Sequence, residues 1–407
     1  MIKRNLTQKL LTALKDSPVV LLQGARQTGK STLVKSMIEN DYPAKYVTFD
    51  DISILSAAKA DPQGFIDSFE GNVAIDEIQR APEIFLAIKR AVDLDRRPGR
   101  FILTGSANAL LLPKVSESLT GRVELLTLYP FSQNEISNTN FNLVDILFNE
   151  KLNFDSSRAA NELLKRILLG GYPEIKTRAN DERRNAWYKS YITTITQRDV
   201  RDISNIEGLT QFPSIMSLLA ERAGSLLNFA ELSRSAAIPQ TTLKRYVSLL
   251  QSIFLLYFLP AYSQNLSKRI IKTPKVYLYD TGLLAFLIGA NAQRVKDEPR
   301  IHGMLVENFA LMELLKQASW SNQNLSFYHF RTTAGQEVYF VLEIPGGEIV
   351  GIEVKATQTP KADMFNGLKL LREETVKKFV RGILLYNGNT IIPFDKNLLA
   401  IPISYLW

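Results

Sequence analysis

The sequence predicts an α/β protein of several domains. A parallel sheet with helices on both faces is expected over residues 1–135. A helical region with a winged helix-turn-helix follows over 136–290, and a second α/β module over 291–407. Three observations predict this. Five short apolar runs alternate with helical patterns in the first third, which is the mark of a parallel sheet. Helical spacing replaces them after residue 135. Strand-like runs return after residue 325, behind one long apolar-striped helix.

Bulk properties narrow the class. At 407 residues, with 45% hydrophobic and 22% charged side chains, the chain has room for two or three real cores. It contains no cysteine and only two histidines, His302 and His329, so cysteine-ligated zinc, a thiol nucleophile and a histidine metal site are not expected. The opening MIKRNLTQKLLTALKDS lacks a continuous apolar segment, and IFLLYFLPAY (253–262) is too short to span a bilayer. A cytoplasmic protein without membrane association is expected. The net charge of +8 is concentrated: nineteen basic against thirteen acidic residues put +6 between 136 and 290. A polyanion would touch there most readily.

The first element is PVVLLQGARQTGKSTLVKSMI (18–38), an apolar strand, a glycine-bounded loop and an amphipathic helix. Its centre fits G-x-x-x-x-G-K-[ST], a loop whose backbone N–H groups and following helix N-terminus surround phosphates. The loop residues Gly24, Ala25, Arg26, Gln27, Thr28, Gly29, Lys30, Ser31 and Thr32 are therefore expected to bind nucleotide. Lys30 would reach the β- and γ-phosphates, and the Ser31 hydroxyl would ligate Mg²⁺.

The next strands supply the rest of a hydrolytic site. In GNVAIDEIQRAP (71–82) an apolar strand ends in Asp76, placed to hold Mg²⁺, and Glu77, placed to polarise the attacking water. The competing reading is an acidic pair that caps a helix. RFILTGSAN (100–108) ends in Ser106 and Asn108, either of which would sense the γ-phosphate. SLTGRVELLTLYPFS (118–132) carries Arg122 just before the fifth strand, as an arginine finger across a subunit boundary or as an ordinary surface arginine. KYVTFDD falls between the loop strand and the acidic strand in sequence, so those two need not be neighbours. No guanine-reading Asn-Lys-x-Asp run is found, and ATP is the expected nucleotide.

GARQTGKSTL, AIDEIQRAP, ILTGSAN and SLTGR, in this order, resemble the AAA+ ATPases of bacteria and archaea. GGYPEI (170–175), TQRDV (196–200), PKVYLYDTGLLAFL (274–287), GMLVENF (303–309) and the late EVYFVLE and IEVKA resemble a group within them whose C-terminal half is a domain of its own. The resemblance covers nearly the whole chain. It implies ATP hydrolysis with Mg²⁺, and homo-oligomerisation if Arg122 acts on a neighbour's nucleotide.

In the middle third, apolar residues at helical spacing predict helices over 159–169, 182–203 and 208–223. The Arg- and Asp-rich TTITQRDVRDIS (193–204) reads as a solvated helix face. LLNFAELSRSAAIPQTTLKRYVSLLQSIFLLYFLPAYSQN (226–265) predicts two helices about a sharp AIPQ turn, the second capped by Thr241 or Thr242. The aromatic runs LLYFLPAY and PKVYLY form the expected wing. Lys244 and Arg245 on the second helix, with Lys268, Arg269, Lys272 and Lys275 near the wing, suit phosphate contacts with a nucleic acid, DNA before RNA. A packing or lid role is the alternative. Asp280 in DTGLL is expected to cap a helix.

In the last third, GMLVENFALMELLKQ (303–317) predicts a helix with Glu307 beside its apolar stripe. FYHFRT, EVYFVLE, IVGIEVKA and RGILLYNG predict strands. A helix bearing a glutamate, then strands carrying an acid and an E-x-K pair, Glu353 and Lys355, resembles the PD-(D/E)XK nuclease fold. That resemblance implies a shared Mg²⁺ near the scissile phosphate. Related sequences tend to read E-V-D-F-V where this chain reads E-V-Y-F-V. Tyr339, a neutral phenol, thus stands in the place of a metal-binding aspartate. Glu337 lies on the same strand face but about 7 Å away. An inactive nuclease-like scaffold is expected, with a Mg²⁺-dependent nuclease as one alternative and a nucleotide-gated switch with little turnover as another.

Overall fold

The computed structural model describes residues 2–106, 120–149, 152, 162–197, 211–265, 269, 272–332 and 334–407. The first third contains a five-stranded parallel sheet of β1 (Val19–Gln23), β2 (Lys45–Thr48), β3 (Val73–Asp76), β4 (Phe101–Gly105) and β5 (Val123–Thr127), in the order β2-β3-β4-β1-β5. Covered on both faces, β1 and β4 are fully buried, which is why their sequences are continuous apolar runs rather than alternating ones. The alternation reappears in where the side chains go. Val19 and Leu21 join a cluster with Ile75, Leu103 and the helix Ile84–Leu94, whereas Val20 and Leu22 join Val34, Met37 and the N-terminal helix Thr7–Ala13 on the opposite face. β4 lies between β1 and β3, with Phe101 opposite both Val19 and Val73. The loop strand and the acidic strand are therefore next-but-one neighbours.

The middle third is helical: Leu163–Leu169, Asp181–Gln197, Phe212–Ala220, Phe229–Ala236 and Gln240–Ser252. The last two form the expected helix-turn-helix. The second is not capped by Thr241 or Thr242: its N-cap is Pro239, two residues before Thr241, in extended backbone and with no side-chain cap. β6 (Leu256–Leu259) and β7 (Lys275–Leu278) then pair antiparallel, and a bridge between Leu226 and Lys275 adds a third short contact.

The last third opens with the helix Pro299–Trp320. β8 (Ser326–Arg331), β9 (Glu337–Glu343) and β10 (Ile349–Lys355) run antiparallel. The helix Asn366–Thr375 then crosses to β11 (Phe379–Tyr386), parallel to β10. β12 (Ile392–Asp395) and β13 (Leu398–Pro402) complete the order β12-β13-β11-β10-β9-β8. One hydrophobic cluster runs from Leu143 through Leu256, Tyr277 and Phe309 to Trp407, so the middle and last thirds share a core.

The junction with the first sheet explains two motifs that carry no chemistry of their own. Asp280 accepts from the backbone N–H of Leu283, capping the helix Thr281–Leu287, and also from Gly171 N–H at 2.6 Å and Tyr188 Oη at 3.2 Å. Phe131 N–H in turn donates to Gly171 O at 2.7 Å. GGYPEI and DTGLL are thus the two halves of one clasp closed against the chain leaving β5.

Candidate functional site

At the C-terminal edge of the first sheet, the loop after β1 leads into the helix Lys30–Asn40. Gly24 has φ +151°, and a Cβ there would lie 2.2 Å from Leu128 O, so only glycine lets the loop leave the strand so close to the end of β5. Gly29 adopts φ +93° as the N-cap, turning the N–H groups of the first helical turn toward the loop interior. Thr28 is fully buried, its hydroxyl on Ala25 O at 2.9 Å. Lys30 Nζ donates to Gly24 O and Ala25 O, both at 2.9 Å, which folds the ammonium under the loop.

Asp76 and Glu77 stand opposite. The Ser31 hydroxyl donates to both Asp76 oxygens, at 2.8 and 3.0 Å. Tyr46 Oη approaches Asp76 at 2.7 Å, and Thr104 Oγ1 also donates to it. A hydroxyl and a carboxylate in contact are the hard oxygen donors that Mg²⁺ takes from protein while keeping most of its water. Ser31 and Asp76 therefore fit that ion. Burial and the Asp76 carboxylate push the Tyr46 phenol up, so it stays a neutral donor.

Glu77 follows directly, in left-handed backbone (φ +58°) that turns its side chain from the strand toward the loop. Its carboxylate accepts from Gln79 Nε2 and lies 3.7 Å from the Arg26 guanidinium. Gln79 Nε2 also reaches Ser106 Oγ at 2.9 Å. Ser106 thus joins the site through Gln79; Asn108 lies outside the described residues. The sequence reading missed Arg26 as a partner of Glu77, and Gln79, Tyr46 and Thr104 altogether. Only Gln79 left a signal, two residues beyond the acidic pair.

Arg122 is not brought to this site. It precedes β5, at the opposite end of the sheet, where its Nε meets Asp93 at 2.6 Å. Beside the loop, a cleft of about 480 Å³ is lined by Ile2, Leu33, Met37, Phe131 and Pro173 together with Thr28 and Thr32. Arg4, buried, fastens this region: it donates to Thr28 O and Tyr129 O and pairs with Glu135 at 3.1 Å.

The residues of the C-terminal carboxylate cluster do converge. Glu353 and Lys355 share a face of β10, 3.4 Å apart, and Lys355 Nζ meets Tyr339 Oη at 3.3 Å. Burial pushes the Glu353 carboxyl up to about 7, against the pull of Lys355. Lys275 of β7 enters the same cluster, 3.4 Å from Glu307 and 3.5 Å from Glu337, with its ammonium 4.8 Å from the centre of the Tyr339 ring. Among the described residues, no group of three or more acidic or histidine side chains is placed to hold a metal ion.

Two expected phosphate contacts are overturned by this geometry. Lys275 is 3% exposed and committed to glutamates, and Arg269 is held by both oxygens of Glu343, at 2.6 and 3.0 Å, against the rings of Tyr262 and Tyr328. These two charges of the expected basic wing are neutralised by the last third of the chain. Lys244, Arg245 and Lys272 are exposed, and Lys268 lies outside the described residues, as does part of TQRDV.

Comparisons with known proteins match three segments of the chain. An AAA domain matches residues 16–137, and two domains of unknown function, DUF8612 and DUF4143, match 160–294 and 302–406. The uncharacterized protein Rv2008c of Mycobacterium tuberculosis is 31% identical over 402 residues, covering 98% of this chain and 83% of the relative. The uncharacterized protein MJ1544 of Methanocaldococcus jannaschii is 23% identical, covering 88% and 79%. Among solved structures, the Walker-type ATPase PABY2304 of Pyrococcus abyssi is similar over 70% of this chain and 96% of its own, at 16% identity and a TM-score of 0.43.

Proposed function

Because the chain belongs to the family of the uncharacterized Mycobacterium tuberculosis protein Rv2008c and carries an AAA domain at residues 16–137, we propose that it is a Mg²⁺-dependent ATPase. The observation that carries this reading is the contact of Ser31 with Asp76, with Glu77 next in the chain and facing the same loop. Lys30 leaves the carbonyls of Gly24 and Ala25 for the β- and γ-phosphates. Ser31 and Asp76 would hold Mg²⁺, which would supply charge to screen the phosphates. Glu77 orients the attacking water and takes its proton, and Ser106 with Gln79 holds Glu77 in place. The apolar cleft of Leu33, Met37, Phe131 and Pro173 takes the adenine base.

The test is ATP turnover and nucleotide binding by wild type, Lys30→Ala and Glu77→Gln. Glu77→Gln binds ATP but turns over about 100-fold or more slower, and Lys30→Ala loses binding. A wild type that binds ATP without turnover under any condition is instead a nucleotide-gated switch.

The exposed Lys244 and Arg245, on the second helix of a helix-turn-helix beside a two-stranded sheet, favour a second role in DNA binding through a winged helix. Turnover stimulated by single-stranded or duplex DNA in wild type, and not in Lys244→Glu/Arg245→Glu, supports it; stimulation equal in both removes it. The αβββαβ run from Pro299 to Tyr386 supports a nuclease-like scaffold, and the placement of Lys275 and Tyr339 among its glutamates supports an inactive one. Cleavage of any DNA in Mg²⁺ or Mn²⁺ that Lys355→Ala abolishes would overturn that.

A further inference from the structure

We propose that Arg26, inside the phosphate-binding loop, is the catalytic arginine of ATP hydrolysis and acts within its own chain. The inference rests on the ATPase reading above and adds to it the source of the positive charge that phosphoryl transfer needs. Water oxygen bonds to the γ-phosphorus as the bond from that phosphorus to the β,γ-bridging oxygen breaks. ADP and inorganic phosphate leave, and the water's proton passes to Glu77. Negative charge gathers on the bridging and γ-oxygens during this step, and a guanidinium at that point is worth about 10³–10⁵ in rate, whether supplied in cis or in trans.

Arg26 is placed for this. Its guanidinium stands 3.7 Å from Glu77, the group that handles the attacking water, and both side chains are largely enclosed, at 15% and 13% exposure. A cation that touches the water-handling carboxylate from within the loop is already beside the γ-phosphate position. From there a turn of the side chain would bring the guanidinium to the phosphate oxygens. The Arg26 backbone is fixed: Arg26 O accepts from Tyr191 Oη at 3.1 Å, Tyr191 meets Tyr172 Oη at 2.8 Å, and the Trp187 ring stacks on Tyr191 at 4.8 Å. Gln79 keeps its own hydrogen bond to Glu77, so the carboxylate stays positioned when Arg26 turns to the phosphate.

Among the described residues, the arginines Arg4, Arg80 and Arg122 are paired elsewhere. Arg4 is buried on Thr28 O, Tyr129 O and Glu135, and Arg80 pairs with Asp50 at 2.8 Å. Arg122 sits with Asp93 at the far end of the sheet. The loop arginine also offers what a lysine does not, a planar fork that binds two phosphate oxygens together.

The experiment uses the full-length chain and its Arg26→Ala, Arg26→Lys and Arg122→Ala variants. ADP affinity, ATP turnover and trapping of ADP with aluminium fluoride, which imitates the transferring phosphoryl group, are measured with Mg²⁺. Arg26→Ala is expected to keep ADP affinity within about threefold while losing the trapped complex and about 100-fold or more of turnover. Arg26→Lys recovers only part of the trapping, and wild-type turnover per chain stays constant across dilution. Trapping and turnover that survive in Arg26→Ala overturn the inference. So does their loss in Arg122→Ala with survival in Arg26→Ala, or turnover per chain that falls on dilution. A wild type that neither hydrolyses ATP nor traps the analogue is a different result: it removes the ATPase reading itself and this inference with it.

Discussion

The ammonium of Lys275 lies 3.4 Å from a carboxylate oxygen of Glu307, and both side chains are buried. The contact joins the two-stranded sheet of the middle third to the long helix of the last, with Glu337 on its other side and Tyr277 Oη 2.6 Å from Glu307. Burial pushes the Glu307 carboxyl up, and Lys275 is the first group that pulls it down. Removing the lysine alone strands a buried charge, whereas removing charge from both partners does not. Lys275→Met is therefore expected to cost about 3–5 kcal/mol, and Lys275→Met/Glu307→Gln to recover most of that. Urea unfolding followed by tryptophan fluorescence measures it. A double variant no more stable than Lys275→Met would show that the pair is not what the lysine serves.

Two buried groups give stability opposite dependences on pH. Glu353 is pushed up from 4.5 to about 7 by burial. Its folded form keeps the proton longer, so stability falls as pH rises through the window from 4.5 to 7. His329 is pushed down from 6.5 to about 4, first by burial and then by Lys275. Its folded form resists protonation, so stability falls as pH drops from 6.5 toward 4. Each effect is on the order of 3 kcal/mol, and in wild type the two oppose each other. In His329→Asn the unfolding midpoint should fall with rising pH between 4.5 and 7, and in Glu353→Gln it should rise. Profiles that both parallel wild type would remove the assignment.

These groups mark the limit of what the sequence discloses. β1, β3 and β4 are legible because burial on both faces demands unbroken apolar runs, and Asp76 and Glu77 because they end one; the edge strands β2 and β5, only partly buried, are legible through their place between helical patterns. The helix-turn-helix is legible in its periodicity, yet its N-terminal threonines are not caps, since Pro239 already fits the extended N-cap backbone two residues before Thr241. The fate of Lys275 and Arg269 is not legible at all. Their carboxylate partners, Glu307, Glu337 and Glu343, lie 32 to 74 residues away, and local charge says nothing of partners that distant in sequence. The pairing of Arg26 with Glu77 is hidden for the same reason: it depends on β4 spacing the two strands apart.

Asp280 is expected to be the most sensitive side chain of the clasp. It accepts from Gly171 N–H, Leu283 N–H and Tyr188 Oη, and it is 1% exposed. Asp280→Ala leaves three donors without their acceptor, at about 1–3 kcal/mol for each buried donor left unpaired. Asp280→Asn keeps an acceptor oxygen and should lose less. Thermal unfolding ranks them, and an alanine variant as stable as the asparagine one would contradict the clasp.

Gly24→Ala tests the loop without touching its chemistry. The glycine has φ +151°, and an added Cβ would stand 2.2 Å from the backbone oxygen of Leu128. That oxygen is not free to retreat, because Leu128 N–H donates to Gln23 O at 2.8 Å and anchors the end of β5 beside the loop. The strain must open the loop, and the same opening pulls the carbonyls of Gly24 and Ala25 from Lys30. Strain of about 1–3 kcal/mol corresponds to about a 5- to 140-fold loss of nucleotide affinity. The substitution lies far in the chain from the shared core of the later thirds, so their unfolding should be unchanged. Gly303→Ala is the control: in the helix Pro299–Trp320 nothing lies within 4 Å of an added Cβ, and helical backbone accepts alanine. It should bind nucleotide like wild type and unfold no earlier. Equal affinity in Gly24→Ala and wild type would mean that the loop opens at no cost, and that its resting shape is not the one that holds phosphate.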